Sequence, residues 1–379
     1  MKIAYFLNSY PNIHKIVAHD EMRELARLGH TITVVAVWGG GKQAINNLPF
    51  NVIYIKNKLN PFCLFLMLFS IRKKHCQHFI LLKEYLGIRD SLIYLSSYHQ
   101  ICIQKFDRIH AHFANNAALK GYLLSKYLKI PFSCTGHGSE LLLYPEPYLR
   151  ELIINSKPFI TISNYNKELL VKKYNLKPSQ ITVNYCGIDT EYFTRKGVPY
   201  PDNFNIVSVT ALKEIKGVKY LIKACHLLKQ NNINFYCKII GDGEDRNLLE
   251  ELITGYSLEK NITLVGAIKP DKIKLDLLNA SIFVLPSLSE GIPVAVMEAM
   301  AMELPVIATN ITGLPEIIQT DINGILVQPK NSHELADSII RLYHSENQRY
   351  SLGKAARKTI EKKFNLKINT KLFEKLLMQ

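Results

Sequence analysis

The sequence predicts an α/β protein made of two doubly wound parallel-sheet domains facing across a cleft. Three observations predict it. Apolar runs of strand length recur along the whole chain, alternating with amphipathic segments of helical length. Buried strands separated by helices imply a parallel sheet with helices on both faces. The series also restarts after one polar stretch, Gly187 to Asn203, which carries Gly197, Pro199 and Pro201. At 379 residues the chain is long enough for two or three domains with ample core.

Taken in order, runs at 2–7, 31–37, 51–55, 107–111, 131–135, 157–162 and 181–185 predict the strands of the first domain. An amphipathic helix from Ile16 to Leu28 joins the first two, with Gly29 as its stop. The second series predicts strands at 205–211, 234–240, 262–265, 281–286, 304–308 and 324–327. Helices at about 332–344, 348–362 and 367–378 follow. The predicted division is 1–190, 203–355 and a helical segment 356–379, with the domains joined near residue 195. In such sheets ligands bind beyond the carboxyl ends of the strands, so two facing domains would make a cleft.

Composition is globular, with 47% apolar and 21% charged residues. The net charge of +15 is lopsided. Residues 1–189 hold 23 Lys and Arg against 11 Asp and Glu, whereas the remainder holds 24 against 21. The first half therefore favours an anionic partner, such as a membrane surface or a lipid phosphate. No helix-turn-helix, zinc-finger or RNA-binding signature supports nucleic acid. The seven cysteines form no C-x-x-C and no zinc spacing, which fits a reducing cytoplasm. Met1 leads directly into a strand, so no signal peptide is expected. Phe62 to Ile71 is apolar but about half the length a spanning helix needs. Arg72, Lys73 and Lys74 follow it, a pattern that suits an anionic membrane interface or, equally, a buried helix.

The stretch Leu285 to Pro305 organises the chemistry. A buried strand runs into a polar loop, and a helix is expected to begin at Pro293, where a missing N–H costs nothing. The helix body is apolar and small, with Glu298 as its single charge. Glu290 lies in the loop before it. A helix N-terminus favours an anion such as a phosphate, so the stretch offers an anion seat between two hydrogen-bond acceptors. A sugar nucleotide has that shape.

Other motifs narrow the reading. The first strand runs into Asn8 to Lys15 with no glycine, so the dinucleotide fingerprint is absent. Phe106 to Phe113 reads F-D-R-I-H-A-H-F. His110 and His112 share a strand face there, and a metal would need a further ligand. Structurally satisfied histidines are the plainer account. Pro131 to Leu141 reads P-F-S-C-T-G-H-G-S-E-L, placing His137 between two glycines at a strand's carboxyl end. It is read either as a site residue or as a loop histidine capping a helix. Val207 to Leu221 places Lys213 and Lys216 in a strand-to-helix loop. Ile239 to Gly243 is a glycine turn without a phosphate-loop lysine.

The pattern P-S-x-x-E-G-x-P-x-x-x-x-E-A-M-A, from Pro286 to Ala301, resembles the E-x7-E motif of retaining glycosyltransferases of family 4, which have the GT-B fold of two Rossmann-like domains. The pattern Y-P-N-x-H-K-x-V-x-x-x-E-M from Tyr10 is similar to the subgroup acting in bacterial exopolysaccharide assembly, of the colanic-acid type. The resemblance implies a nucleotide-diphosphate sugar as donor, a glycan or lipid-linked acceptor and no metal or other cofactor. It implies that Glu290, with the backbone of Gly291, Ile292, Pro293 and Val294, meets the donor sugar, and that Glu298 accepts from the ribose. Lys216 would clamp the diphosphate. Ala211 stands where the family has an arginine, with Lys213 as the nearest substitute. His137 would lie by the donor sugar and departing oxygen, and His14 and Glu140 on the acceptor side. The family's last helix returns to the N-terminal domain. A cytoplasmic enzyme, peripheral on the inner membrane face, is the expected setting. Rival readings are a non-catalytic sugar-nucleotide or glycan-binding scaffold and a nucleotide-sugar epimerase of the same fold.

Overall fold

The computed structural model describes residues 1–11, 16–39, 50–55 and 73–379. They form two compact units: Met1–Asn184 together with Thr370–Gln379, and Tyr185–Asn369.

The first unit opens with β1 (Lys2–Tyr10), α1 (Ile16–Arg27), β2 (Thr31–Gly39) and β3 (Asn51–Tyr54). A long helix α2 (Lys73–Cys102), interrupted at Gly87, leads to β4 (Arg108–His112) and α3 (Asn116–Leu128). Then come β5 (Phe132–Gly136), α4 (Ser139–Leu142), α5 (Leu149–Asn155), β6 (Phe159–Thr161), α6 (Asn164–Tyr174) and β7 (Ile181–Val183). Side-chain caps set the helix starts. The Asn115 side chain accepts from the Ala117 amide, and the Ser163 hydroxyl accepts from the Asn166 amide. The seven strands pair in parallel in the order β3-β2-β1-β4-β5-β6-β7, so the order reverses between β1 and β4. Alternation along β1 feeds two cores. Ala4 and Phe6 pack on one face with Val35, Ile109 and Leu123, while Ile3, Tyr5 and Leu7 pack on the other with Met22, Leu25 and Phe373.

The second unit carries β8 (Asn205–Val209), α7 (Val218–Gln230), β9 (Tyr236–Ile240), α8 (Arg246–Gly255), β10 (Ile262–Gly266), α9 (Pro270–Leu278) and β11 (Ile282–Leu285). It continues with α10 (Val294–Ala301), β12 (Val306–Thr309), α11 (Leu314–Ile317), β13 (Ile325–Val327), α12 (Ser332–His344) and α13 (Glu346–Lys363). Its sheet order is β10-β9-β8-β11-β12-β13, all parallel, with the reversal between β8 and β11. The last helix, α14 (Leu366–Met378), begins in the second unit and ends in the first. Each of the thirteen apolar runs forms a strand, β1 and β2 extending a few residues further than the runs themselves.

The stretch read as a connector near residue 195 packs within the second unit. The boundary falls between Asn184 and Tyr185, and the next between Asn369 and Thr370. Ile188, Phe193 and Arg195 are buried. The Arg195 guanidinium donates to the carbonyls of Met302 and Leu277, each at 3.1 Å, and stacks on Tyr200. Each hydrogen bond to a charged group contributes about 1.5–3 kcal/mol, so this polar stretch is held as firmly as a core element. The membrane-interface expectation for Phe62 to Arg72 falls outside the described residues, and Lys73 and Lys74 open α2. Among the described residues no helix is long and apolar enough to cross a membrane.

Candidate active site

Lys216 and Glu290 come together where the strand order of the second unit reverses, the position at which open α/β sheets bind ligands. After β8 the chain makes a 3-10 turn, Glu214–Lys216, and then Gly217 in the left-handed region with φ 63°. A Cβ at Gly217 would stand 2.1 Å from the carbonyl oxygen of Pro286, so only glycine lets this loop press against the loop after β11. The Leu288 amide donates to the Ile215 carbonyl at 2.8 Å and stitches the two loops together.

That approach delivers Lys216 to Glu290. The Lys216 ammonium donates to Glu290 Oε1 at 2.7 Å, and the Ser287 hydroxyl donates to the same oxygen at 2.7 Å. The Lys216 side chain is 25% exposed and that of Glu290 10%. The Thr312 hydroxyl donates to the Glu290 carbonyl and fixes the loop from the far side. Oε1 takes both bonds, and the ammonium keeps two further N–H donors.

Helix α10 starts one residue later than the sequence suggests. Pro293 is extended, with φ −71° and ψ 130°, and occupies the capping position rather than the first helical one. Its carbonyl accepts from the amides of Val296 and Met297 at 3.2 and 3.3 Å. The amides of Val294 and Ala295 precede the helical ladder and point from its start, where the dipole is positive. Gly291, Pro293 and Val294 are half-buried. Ile292 is buried, so its backbone is what it can offer a ligand. Glu298 is 7% exposed, inside a helix otherwise apolar on every side. Its charge, after burial and the bond to Asp271, helps push the Tyr192 phenol up to about 12. Tyr192 is a neighbour of Glu298 that the sequence did not single out. Lys213 is not brought to the Lys216–Glu290 pair. It is exposed and lines a separate recess of about 180 Å³ with Lys219, Asp245 and Leu248. Ala211 is half-buried in the same loop.

In the first unit, His137 follows β5 and is clamped at three points. Its amide donates to Glu140 Oε1 at 2.7 Å, its carbonyl accepts from the Asn166 side chain, and its Nε2 lies 2.6 Å from His112 Nε2. Glu140 also accepts from the Gly138 amide at 3.2 Å, so its carboxylate ties the glycine loop. Gly138 holds the capping position of α4, and Ser139 is its first residue. His14 lies outside the described residues. His110 and His112 are wholly buried. Burial, then the charges of His112, Arg108 and His137, holds His110 well below the usual imidazole range. Glu21, from α1, was missed as a companion of this pair. It brings a carboxylate oxygen within 4.8 Å of a ring nitrogen of each. Its place in the Tyr10-to-Met22 pattern was the available signal.

Comparisons with known proteins bear on the family and the fold. The model of the family Glycosyl transferases group 1 matches residues 189–359, and that of Glycosyltransferase Family 4 matches residues 15–192. The chain is 33% identical to the uncharacterized glycosyltransferase MJ1178 of Methanocaldococcus jannaschii, over 68% of this chain and 71% of that protein. It is 26% identical, over 100% of this chain and 99% of the other, to WcaL of Escherichia coli K12, a glycosyltransferase assigned to colanic acid biosynthesis. The Anabaena protein HepE, solved with UDP and glucose, superimposes with a TM-score of 0.77 at 16% identity, covering 100% of this chain and 99% of that one. The fold is therefore that of the GT-B glycosyltransferases.

Proposed function

This chain belongs to the glycosyltransferases of family 4 and group 1, and on that premise we propose that it moves a sugar, with retention, from a nucleotide-diphosphate sugar to a hydroxyl of a glycan or lipid-linked acceptor in surface-polysaccharide synthesis. The Lys216–Glu290 pair beside the start of α10 carries the reading. The relation to WcaL supports the polysaccharide setting, and the nucleotide and sugar held by HepE support the donor class.

The chemistry follows from the groups present. Breaking the bond between the anomeric carbon and the diphosphate leaves negative charge on the departing oxygens. Lys216 and the first amides of α10 meet that charge, which is the largest kind of catalytic contribution available. Glu290 accepts from sugar hydroxyls and orients the anomeric carbon, while Glu298 accepts from the ribose. The acceptor oxygen forms the new bond on the same face, and its proton passes to the leaving diphosphate. His137 supplies a polar contact to the reacting sugars.

The test is a panel of nucleotide sugars, screened by thermal shift and then by turnover. Binding to the native state raises its apparent stability. The expected result is a shift with one nucleotide family, and a glycoside whose anomeric configuration matches the donor. An inverted product would refute retention. An isomerised sugar without transfer would indicate an epimerase, and binding without any donor cleavage a scaffold. Turnover should survive excess chelator; loss that a divalent ion restores would refute metal-independent transfer.

A further inference from the structure

Two motifs that donor binding leaves unused, the Tyr10-to-Met22 pattern and the H-x-H of β4, converge on His137. Tyr5 of β1 lies in register with His110 of β4, and α1 lays Glu21 over both strands. The Tyr5 hydroxyl donates to Glu21. His112 Nδ1 stands 3.3 Å from Glu21 Oε1 and 3.3 Å from the Tyr5 oxygen. On the other side of the same ring, His112 Nε2 meets His137 Nε2 at 2.6 Å. Phe113 and His112 each pack against the His137 ring at 4.5 Å between centroids.

Proton counting fixes this chain of atoms. Tyr5 has one hydroxyl proton, and it goes to Glu21. A bare His112 Nδ1 would then face only lone pairs, so Nδ1 carries the proton. Neutral His112 therefore has a bare Nε2, and the short contact to His137 requires a proton from His137 Nε2. The same ligand types would suit a divalent cation. However, both nitrogens of His110 already face hydroxyls, Ser133 Oγ at 2.9 Å and Thr135 Oγ1 at 3.4 Å, and Tyr5 spans Glu21 and His112. These are the contacts of a proton-satisfied network.

We propose that Glu21, acting through His112, is a positioning residue that holds His137 as its Nε2–H tautomer, so that its lone pair lies on Nδ1 and it serves the transfer as an acceptor from a sugar hydroxyl. The role in transfer rests on the glycosyltransferase reading; the tautomer does not. Around His112, among the described residues, the titratable groups are Glu21, Tyr5, His110 and His137. Around His137, among the described residues, they include His112 and Glu140, the latter engaged by backbone amides.

The experiment is nitrogen NMR of the full chain labelled at histidine, with His137 assigned by loss of its signals in His137→Gln. At pH 8 the wild type should show His137 protonated on Nε2 and bare on Nδ1. Glu21→Gln and His112→Phe should each give mixed tautomers. Tyr5→Phe keeps the carboxylate and should leave the tautomer intact. In kinetics, Glu21→Gln should lower kcat by about tenfold, roughly what one misplaced hydrogen bond to the reacting sugar costs, with donor KM within about twofold if positioning alone is lost. A wild-type His137 protonated on Nδ1, or a tautomer unchanged in both Glu21→Gln and His112→Phe, would overturn the proposal, as would one tightly bound metal ion per chain. Should Glu21→Gln fail to fold, His112→Phe carries the same test. The expected tautomers in a chain that transfers no sugar would uphold the network and refute the enzymatic reading instead.

Discussion

Replacing Lys216 with methionine removes the ammonium and keeps most of the stem. In the resting protein the change leaves Glu290, 10% exposed, with Ser287 as its remaining side-chain donor. The pair lies between exposed ion pairs, which contribute little, and buried ones, whose breakage is severe, so stability should fall by about 1–3 kcal/mol. In the reaction the loss is of a different kind. One hydrogen bond to a charged group contributes about 1.5–3 kcal/mol, and the departing diphosphate carries more charge than the bound donor does. The expected drop is therefore about 10- to 100-fold and falls mainly on kcat. The assay is release of nucleoside diphosphate at saturating donor, with rates corrected for the folded fraction. Lys216→Arg should recover part of the loss, since it keeps the charge on a different geometry. Full kcat in a well-folded Lys216→Met variant would refute the assignment of Lys216 to the leaving group, whatever happened to stability.

Three further outcomes are expected. Gly217→Ala should cost more than about 1 kcal/mol, the ordinary penalty of the left-handed region, because its Cβ would stand 2.1 Å from the Pro286 carbonyl; a melting temperature and turnover equal to wild type would contradict the close approach. Arg195→Met should destabilise the second unit by about 2–5 kcal/mol, since it strips charged donors from buried carbonyls, and urea unfolding with an unmoved midpoint would show that the stretch is not held as described. His110 resists protonation when folded, its pKa lying well below 6.5. The unfolded chain binds a proton there that the folded chain excludes. Stability from this group is thus complete above about pH 6.5 and declines as pH falls below it, by up to about 1.4 kcal/mol per pH unit. Urea midpoints at pH 7.5 and 5.5 measure the decline, and His110→Gln should flatten it.

Much of the architecture was legible because both sheets bury their strands on two faces, so each strand stands out as an apolar run between polar turns. Ile282 to Leu285 and Val306 to Thr309 are wholly of that kind. Glu290 and Lys216 were legible as loop residues at strand ends. Their contact was not, since it spans 74 positions and depends on the backbone conformation of Gly217. Arg195 misled for a physical reason. A guanidinium among Pro and Gly residues has the composition of a linker, and its burial is paid back by carbonyls more than eighty positions away. Glu21 was missed because helical periodicity says which face of α1 turns inward, not which strand atoms it will find there. The Lys213 side chain was placed by sequence proximity to Ala211, whereas the turn after β8 sends it to a different recess.

Helix α14 has a consequence for how the chain can be made. Its last residues complete the first unit, where Phe373 is fully buried and its ring packs edge-on against His110 at 4.9 Å. A fully buried side chain of this size is worth roughly 1.5–3 kcal/mol. During synthesis the strands of the first unit emerge early, yet the side chain that seals one of their faces follows the entire second unit. Until then the part of that face that α14 covers lies open on the ribosome, a species of the kind chaperones shelter. A fragment cut at Asn184 would remain permanently in that unfinished condition. Supplying Thr370–Gln379 as a separate peptide, or moving it by circular permutation to precede Met1, would let the first unit close as soon as it is translated.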